Sequence, residues 1–212
     1  MITVHALTNN PFQENTYVLH DESGECLIID PGMYTGAEQN QLVQYIRQNQ
    51  LKPVKVVLTH AHIDHILGLR FVEEQFGLKA GYHEGEEILL TNAPAVAARY
   101  GLNYAVASTA EEYITDDEEV VFGNSSLKSL YTPGHSPAHL CFYSAADGFV
   151  IGGDVLFYQS IGRTDLPGGN FETLIASIRN RLFTLPDETV VYPGHGPQTQ
   201  IGFEKKSNPF LT

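Results

Sequence analysis

Thr59-His60-Ala61-His62-Ile63-Asp64-His65 decides how the chain reads. Four metal-ligand side chains, His60, His62, Asp64 and His65, fall within six residues. They come directly after Val54-Lys55-Val56-Val57-Leu58, an apolar run that predicts a buried strand. Side chains alternate along an extended segment, so His60 and His62 face one side and can grip one ion. Asp64 and His65 come where the chain is expected to turn into a helix, so they face elsewhere and are placed for a second ion. Imidazole with carboxylate suits zinc, iron or manganese rather than calcium, which takes oxygen ligands. The plain alternative is a surface loop rich in histidine, and four ligands in H-x-H-x-D-H order speak against it.

Around this stretch the chain alternates β-like and helix-like segments. Strands are expected at 2–7, 16–20 and 26–30. A turn at Asp21-Glu22-Ser23-Gly24 joins the last two, and Asp30-Pro31-Gly32 stops the third. Leu42, Val43, Tyr45 and Ile46 fit one face of a helix over 37–50. Ile66, Leu69, Val72 and Phe76 predict a second helix over 65–76 with Gly77 as its stop, in which Asp64 is either the N-cap or a ligand. Helical segments over 84–90 and 95–100 are expected to be separated by Pro94. The acidic stretch 111–119 reads as a solvated turn region. Strands follow at 120–122, 126–131, 139–144 and 149–151, then a helix over 171–183 and a strand at 189–192. Strands precede helices in both halves, which predicts two β-sheets packed face to face with helices outside.

Composition bounds the function. A chain of 212 residues can bury a full core, as one large domain or two small ones. With 42% apolar and 17% charged residues it is not a disordered chain. A formal charge of -13 argues against a nucleic-acid backbone or an anionic membrane as partner. Bound cations would offset part of that charge if the carboxylates at the site are ligands. Cys26 and Cys141 each lie in an apolar run and read as small buried hydrophobes, with a disulfide between them the other option. Residues 1–7 lack the basic start and long apolar stretch of a signal peptide, and no run reaches the roughly 18 apolar residues of a membrane span. The cytoplasm is the expected location.

The second half repeats one arrangement three times. An apolar run ends in glycine and a ligand-capable residue follows: His135 after Pro133-Gly134, Asp154 after Gly152-Gly153, and His195 after Pro193-Gly194. Glycine lets the backbone turn sharply there, and strand ends hold side chains rigidly.

This combination resembles the metallo-β-lactamase superfamily over nearly the whole chain. The resemblance rests on Asp30-Pro31-Gly32, the 59–65 stretch, Thr132-Pro133-Gly134-His135, Gly152-Gly153-Asp154 and Pro193-Gly194-His195-Gly196. Within it the chain is similar to the glyoxalase II group, the hydroxyacylglutathione hydrolases, of the short bacterial type. Gly162-Arg163-Thr164-Asp165 and the ending over 202–211 add to that likeness. The resemblance implies an α/β fold, a four-layer αββα sandwich, as a single domain over 1–212 without the C-terminal helical domain of the full-length hydrolases. It also implies two divalent metal ions, zinc first, with iron or manganese accepted by the same ligands. His60, His62 and His135 would hold one ion and Asp64, His65 and His195 the other, with Asp154 bridging and Asp64 and Asp154 as the catalytic carboxylates. Asp30 either fixes a ligand imidazole through its other nitrogen or caps its own turn. Arg163 falls where the family places a basic residue near the glutathione glycine end, and either meets a substrate carboxylate or pairs with Asp165. Lys205 and Lys206 either replace missing glutathione contacts or belong to a solvated tail. His139 reads as structural or as support for a ligand.

The implied activity is thioester hydrolysis of S-lactoylglutathione or a similar small acyl-thiol. A hydroxide shared by the two ions would attack the carbonyl, and a thiolate, with a thiol pKa of about 8.5, would leave without a strong acid. Persulfide dioxygenases are the nearest rival, using one iron on the positions of His60, His135 and Asp154, but they usually carry alanine where Gly194 stands. True β-lactamases commonly have cysteine where Asp154 stands, which lowers that reading. A hydrolase of another small ester or lactone stays open. A binding protein that kept the fold without catalysis is disfavoured by seven intact ligand positions. The sequence leaves the oligomeric state open.

Overall fold

The expected strand ahead of the histidine stretch is an interior strand of a sheet in the computed structural model, which describes residues 1–212. The chain divides into two compact units, Met1–Tyr113 with Val121–Ser125, and Ile114–Val120 with Ser126–Thr212. The first contains β1 (Thr3–Asn9), β2 (Glu14–His20), β3 (Glu25–Ile29), α1 (Gly36–Gln48) and β4 (Lys52–Val57). It continues with α2 (Ile63–Ile66), α3 (Leu69–Phe76), β5 (Ala80–Gly81) and α4 (Glu87–Arg99). The sheet order is β1-β2-β3-β4-β5, with β3, β4 and β5 mutually parallel and β2 antiparallel to β1 and β3. Leu27, Ile28 and Ile29 of β3 and Val56 and Val57 of β4 are buried, as continuous apolar runs in parallel strands require. Because β3 and β4 run side by side, their C-terminal ends bring Asp30 next to Thr59 and the histidine stretch that follows.

The turn at Asp21 is held by side chains. Asp21 accepts from the Ser23 and Asn124 amides at 2.9 and 2.8 Å and from the Ser125 hydroxyl at 2.7 Å. Burial opposes its ionisation, but these bonds and that of the Ser23 hydroxyl win and hold the carboxyl at about 2.

Two expected helices come out differently. The segment over 65–76 is broken: the Gly68 amide leaves the helical ladder to donate to the Pro31 carbonyl at 2.8 Å, so α2 and α3 are separate. Asp64 is not a cap, because His62 occupies the N-cap position and Asp64 lies inside the first turn. Conversely, α4 runs through Pro94 instead of breaking there. Proline forgoes the bond to the Leu90 carbonyl, but Ala93 and Ala97 on either side are buried and hold both halves on the core.

The second unit is built on a sheet of order β13-β12-β9-β8-β7-β6. Its elements are β6 (Glu119–Phe122), β7 (Ser125–Tyr131), β8 (Leu140–Ser144), β9 (Phe149–Gly153) and the short pair β10 (Leu156–Phe157) and β11 (Ser160–Ile161). After these come α5 (Phe171–Ser177), which widens into a π-helical turn over Ile178–Leu182, then β12 (Val190–Pro193), β13 (Thr199–Gln200) and α6 (Ile201–Ser207). β8 is antiparallel to both β7 and β9, and β12 is parallel to β9. Strands β7, β9 and β12 therefore end at one edge, and His135, Asp154 and His195 follow those three ends. Gly153 takes φ +47, and Gly134 takes φ +128 with its Cα against the Leu174 backbone, so both positions require glycine.

Cys26 and Cys141 are buried free thiols, so no disulfide joins them; burial pushes Cys26 up to about 12. Lys205 and Lys206 lie on α6 rather than in a tail, and Lys205 pairs with Asp187 at 2.6 Å. No helix is long and apolar enough to cross a membrane.

Candidate metal centre

In the first unit the site is assembled from strand ends. His60 and His65 are fully buried, with ring centroids 4.1 Å apart, and the His60 and His62 rings stand 4.7 Å apart. Asp30 is the hub behind them. It sits at φ +51, in the left-handed region, one residue past β3. Its Oδ1 accepts from the Thr59 amide at 2.7 Å, and its Oδ2 accepts from the Thr59 hydroxyl at 2.6 Å and from His65 Nδ1 at 2.9 Å. The Thr59 hydroxyl has one proton, given to Asp30, so it can only accept from His60 Nδ1, 3.0 Å away. Both rings thereby carry their proton on Nδ1 and present Nε2, the form in which a neutral imidazole binds a metal. Asp30, His60 and His65 bring ligand-type atoms within 4.8 Å of one another, but the bonds just described make Asp30 a support for the imidazoles. Of its two expected roles, the contact with a ligand imidazole is present. Asp64 Oδ2 lies 3.8 Å from His65 Nε2.

The second unit gathers the other three expected ligands. Asp154 Oδ2 lies 3.5 Å from His135 Nε2 and 3.5 Å from His195 Nε2. His135 Nδ1 donates to the Arg163 carbonyl at 2.8 Å, which again makes Nε2 the nitrogen able to coordinate. Two ligands bound at 2.0–2.2 Å to a tetrahedral ion stand roughly 3.3–3.6 Å apart. Each carboxylate–imidazole span here has that size, so these donors fit a divalent ion. His139 is fully buried and supports the same carboxylate: its Nε2 accepts from the Asp154 amide at 3.2 Å and its Nδ1 meets the Thr132 hydroxyl at 3.1 Å. This agrees with its reading as a support. Phe157 packs edge-on to the His195 ring at 6.3 Å.

Arg163 makes the alternative contact. Its guanidinium forks onto Asp165 at 2.6 and 2.8 Å, both groups are more than half exposed, and the bond draws the Asp165 carboxyl down to about 2.

Some supporting residues carry no signal in the sequence. Glu86, 1% exposed, accepts from the Ala61 amide at 2.9 Å. Glu14, at 0% exposure, accepts from the Thr16 hydroxyl at 3.0 Å, and burial, reinforced by the charges of Asp30 and Asp64, pushes its carboxyl well above the usual range despite the opposing pull of His65. Asn10 donates its side-chain amide to the Asp64 and Gly32 carbonyls, 2.9 Å each. The acids read as ordinary charged residues, because burial is set by partners far away in sequence.

Comparison with known proteins agrees with this geometry. The sequence profile of the Metallo-beta-lactamase superfamily matches residues 9–195. "Probable metallo-hydrolase YqgX" of Bacillus subtilis is 42% identical over 202 residues, covering 95% of this chain and 93% of the relative. "Hydroxyacylglutathione hydrolase GloC" of Haemophilus influenzae is 37% identical over 202 residues, covering 94% and 93%. Among solved structures, BLEG-1 B3 metallo-beta-lactamase superposes with a TM-score of 0.91 at 38% identity, covering 99% of this chain and all of that one. TTHA1623 in a di-iron-bound form superposes with a TM-score of 0.88 at 36% identity, covering 98% of this chain and all of that one.

Proposed function

Because the chain belongs to the metallo-β-lactamase superfamily, with its two mixed sheets flanked by helices, and is a metal-dependent hydrolase of that group, we propose that it cleaves a small acyl-thiol such as S-lactoylglutathione. In this reading, within a single domain, His60, His62 and His135 would hold one ion and Asp64, His65 and His195 a second, with Asp154 as a ligand shared by both. The observation that carries it is the placement of Asp154 Oδ2 at 3.5 Å from the Nε2 atoms of both His135 and His195. Divalent ions bound there supply water acidified toward neutral pH and a Lewis acid for the carbonyl oxygen. Zinc, iron and manganese all suit such donors, and TTHA1623 was seen with two irons.

The chain's own groups set the rest. Asp30, through His65 and Thr59, fixes the proton on Nδ1 of two imidazoles, so Nε2 of each is the nitrogen that can meet a cation. The Arg163 carbonyl does the same for His135. His139 holds the Asp154 amide, which fixes the carboxylate that shares both neighbouring imidazoles. A thiolate leaves readily, so thioester cleavage needs no strong general acid. Arg163 is the candidate contact for a substrate carboxylate: its ion pair with Asp165 lies exposed to screening solvent, so exchanging Asp165 for the substrate costs little.

The test is metal content per chain on freshly purified protein together with hydrolysis of S-lactoylglutathione. Near two ions per chain with thioester turnover is the expected result. One iron per chain with oxygen uptake on glutathione persulfide and no thioester cleavage would replace the reading by a dioxygenase. Turnover of a β-lactam, simple ester or lactone but not of thioesters would move the substrate class.

A further inference from the structure

His60-Ala61-His62 lies between β4 and α2, in neither strand nor helix, so its peptide groups have no regular ladder to bond to. Such a segment is buried here: Ala61 is 2% exposed and His60 0%. A buried amide left without an acceptor costs about as much as a lost hydrogen bond, and a loose peptide at this point would let two neighbouring imidazoles swing. The amide in question belongs to the His60–Ala61 peptide. Its acceptor is Glu86 Oε2 at 2.9 Å.

Glu86 is an unexpected residue to find there. It closes a 3-10 turn over Glu84–Glu86 and is the N-cap residue of α4. Glu84 points outward and Glu87 is partly exposed, whereas Glu86 is 1% exposed. The corner that aims it inward is tied down independently. Glu87 accepts from the hydroxyls of Tyr82 and Tyr113 at 2.8 and 2.9 Å, the Glu86 amide donates to the His83 carbonyl at 2.9 Å, and the Gly85 amide donates to His83 Nδ1 at 3.0 Å. Burying a carboxyl group is costly unless its oxygens are hydrogen-bonded, and an amide acceptor could have been a neutral side chain. The same choice was made two residues earlier, where the Thr59 amide is taken by the buried carboxylate of Asp30 at 2.7 Å. Two buried carboxyl groups thus hold the amides of Thr59 and Ala61, the residues on either side of His60.

We propose that Glu86 is a positioning residue for the metal-ligating His60 and His62, orienting the peptide between them so that both rings are aimed before a cation arrives. The inference rests on the reading of those histidines as metal ligands. Groups that orient ligands from behind typically change metal affinity by about 10- to 100-fold when removed.

The experiment compares Glu86→Ala, Glu86→Leu and Glu86→Gln in the full chain. It measures cobalt(II) and zinc affinity by competition with a chromophoric chelator, the visible ligand-field spectrum of the cobalt form, and the melting temperature of the metal-free form. Glu86→Ala and Glu86→Leu are expected to weaken cation affinity about 10- to 100-fold and shift the cobalt spectrum. Glu86→Gln, whose amide oxygen still accepts from the Ala61 amide, is expected to stay within a few-fold of the parent with its spectrum retained. Wild-type affinity and spectrum in Glu86→Leu would reduce Glu86 to a space-filling residue and overturn the proposal. So would a Glu86→Gln variant as weak as Glu86→Leu. If the apolar variants do not fold, Glu86→Gln decides alone by the same criterion. Failure of the parent protein itself to bind either cation would remove the metal-site reading first and this inference with it.

Discussion

Alanine at Gly162 tests the second half of the site without replacing a candidate ligand. Gly162 follows β11, and its amide donates to the Val155 carbonyl at 3.3 Å. Its φ is not in the left-handed region, so alanine carries no backbone penalty there, only a steric one. A Cβ would be driven into the Asp154 carbonyl oxygen and would reach the Asp154 carbonyl carbon and His135 Nδ1 at 3.0 Å. The obstacle is mostly backbone, which cannot rotate aside as a flexible side chain can. Such overpacking costs about 1–3 kcal/mol of stability. Relief requires a shift on the order of 1 Å in the peptide that carries Asp154, a misplacement that costs about 100-fold in rate, or about 2.7 kcal/mol on the barrier. Gly148→Ala is the control: it has φ +69 and open space around its Cα, so it should cost roughly 1–2 kcal/mol in strain and leave the site alone. Metal content, thermal melting and steady-state hydrolysis of both variants read the difference. If Gly162→Ala is folded and keeps parental metal content and turnover, then Asp154 and His135 are not held by this close approach and the reasoning fails.

Asp154→Ala should lower metal content and activity together, and a variant that keeps both by elemental analysis and kinetics would refute the bridging role. Chelation should destabilise the protein: at free metal 1,000 times above its dissociation constant the bound form gains about 4 kcal/mol, which calorimetry would read as a drop of roughly 8–16 °C on metal removal. Asp21, held at about 2 rather than 3.8, contributes roughly 2 kcal/mol of stability that is present above about pH 4 and lost as pH falls through 2. Asp21→Asn should therefore flatten the acid limb of the stability–pH curve measured in urea, and an unchanged limb would assign it elsewhere. Arg163→Ala should raise KM for S-lactoylglutathione several-fold with kcat unchanged, while Asp165→Ala should not raise it. Equal KM values in all three proteins would confine Arg163 to its surface pair with Asp165.

What could be read from the chain and what could not divides along sequence separation. The H-x-H-x-D-H stretch and the three glycine-ended strands were legible because a ligand must sit at a rigid strand end, and strand ends are written locally as an apolar run followed by glycine. Thr35-x-x-Glu38 was equally local: the hydroxyl accepts from the Glu38 amide at 3.3 Å and Glu38 answers at 2.8 Å, a capping box that starts α1 earlier than the apolar spacing alone suggests. The misjudged elements depend on distant partners instead. Helix 65–76 breaks because Gly68 bonds Pro31, and α4 continues past Pro94 because the core holds it. The residues that aim the ligands are more distant still: Asp30 reaches Thr59, Glu86 reaches Ala61 and the Arg163 carbonyl reaches His135, each across 25 or more positions. No periodicity marks such residues. Glu86 has the same letter as the exposed Glu84 and the partly exposed Glu87 beside it, and only the fold turns it inward. The ligand set of a metal site is therefore the part a sequence exposes. The buried carboxyl groups that set tautomers and peptide directions emerge only once the strand ends have been brought together.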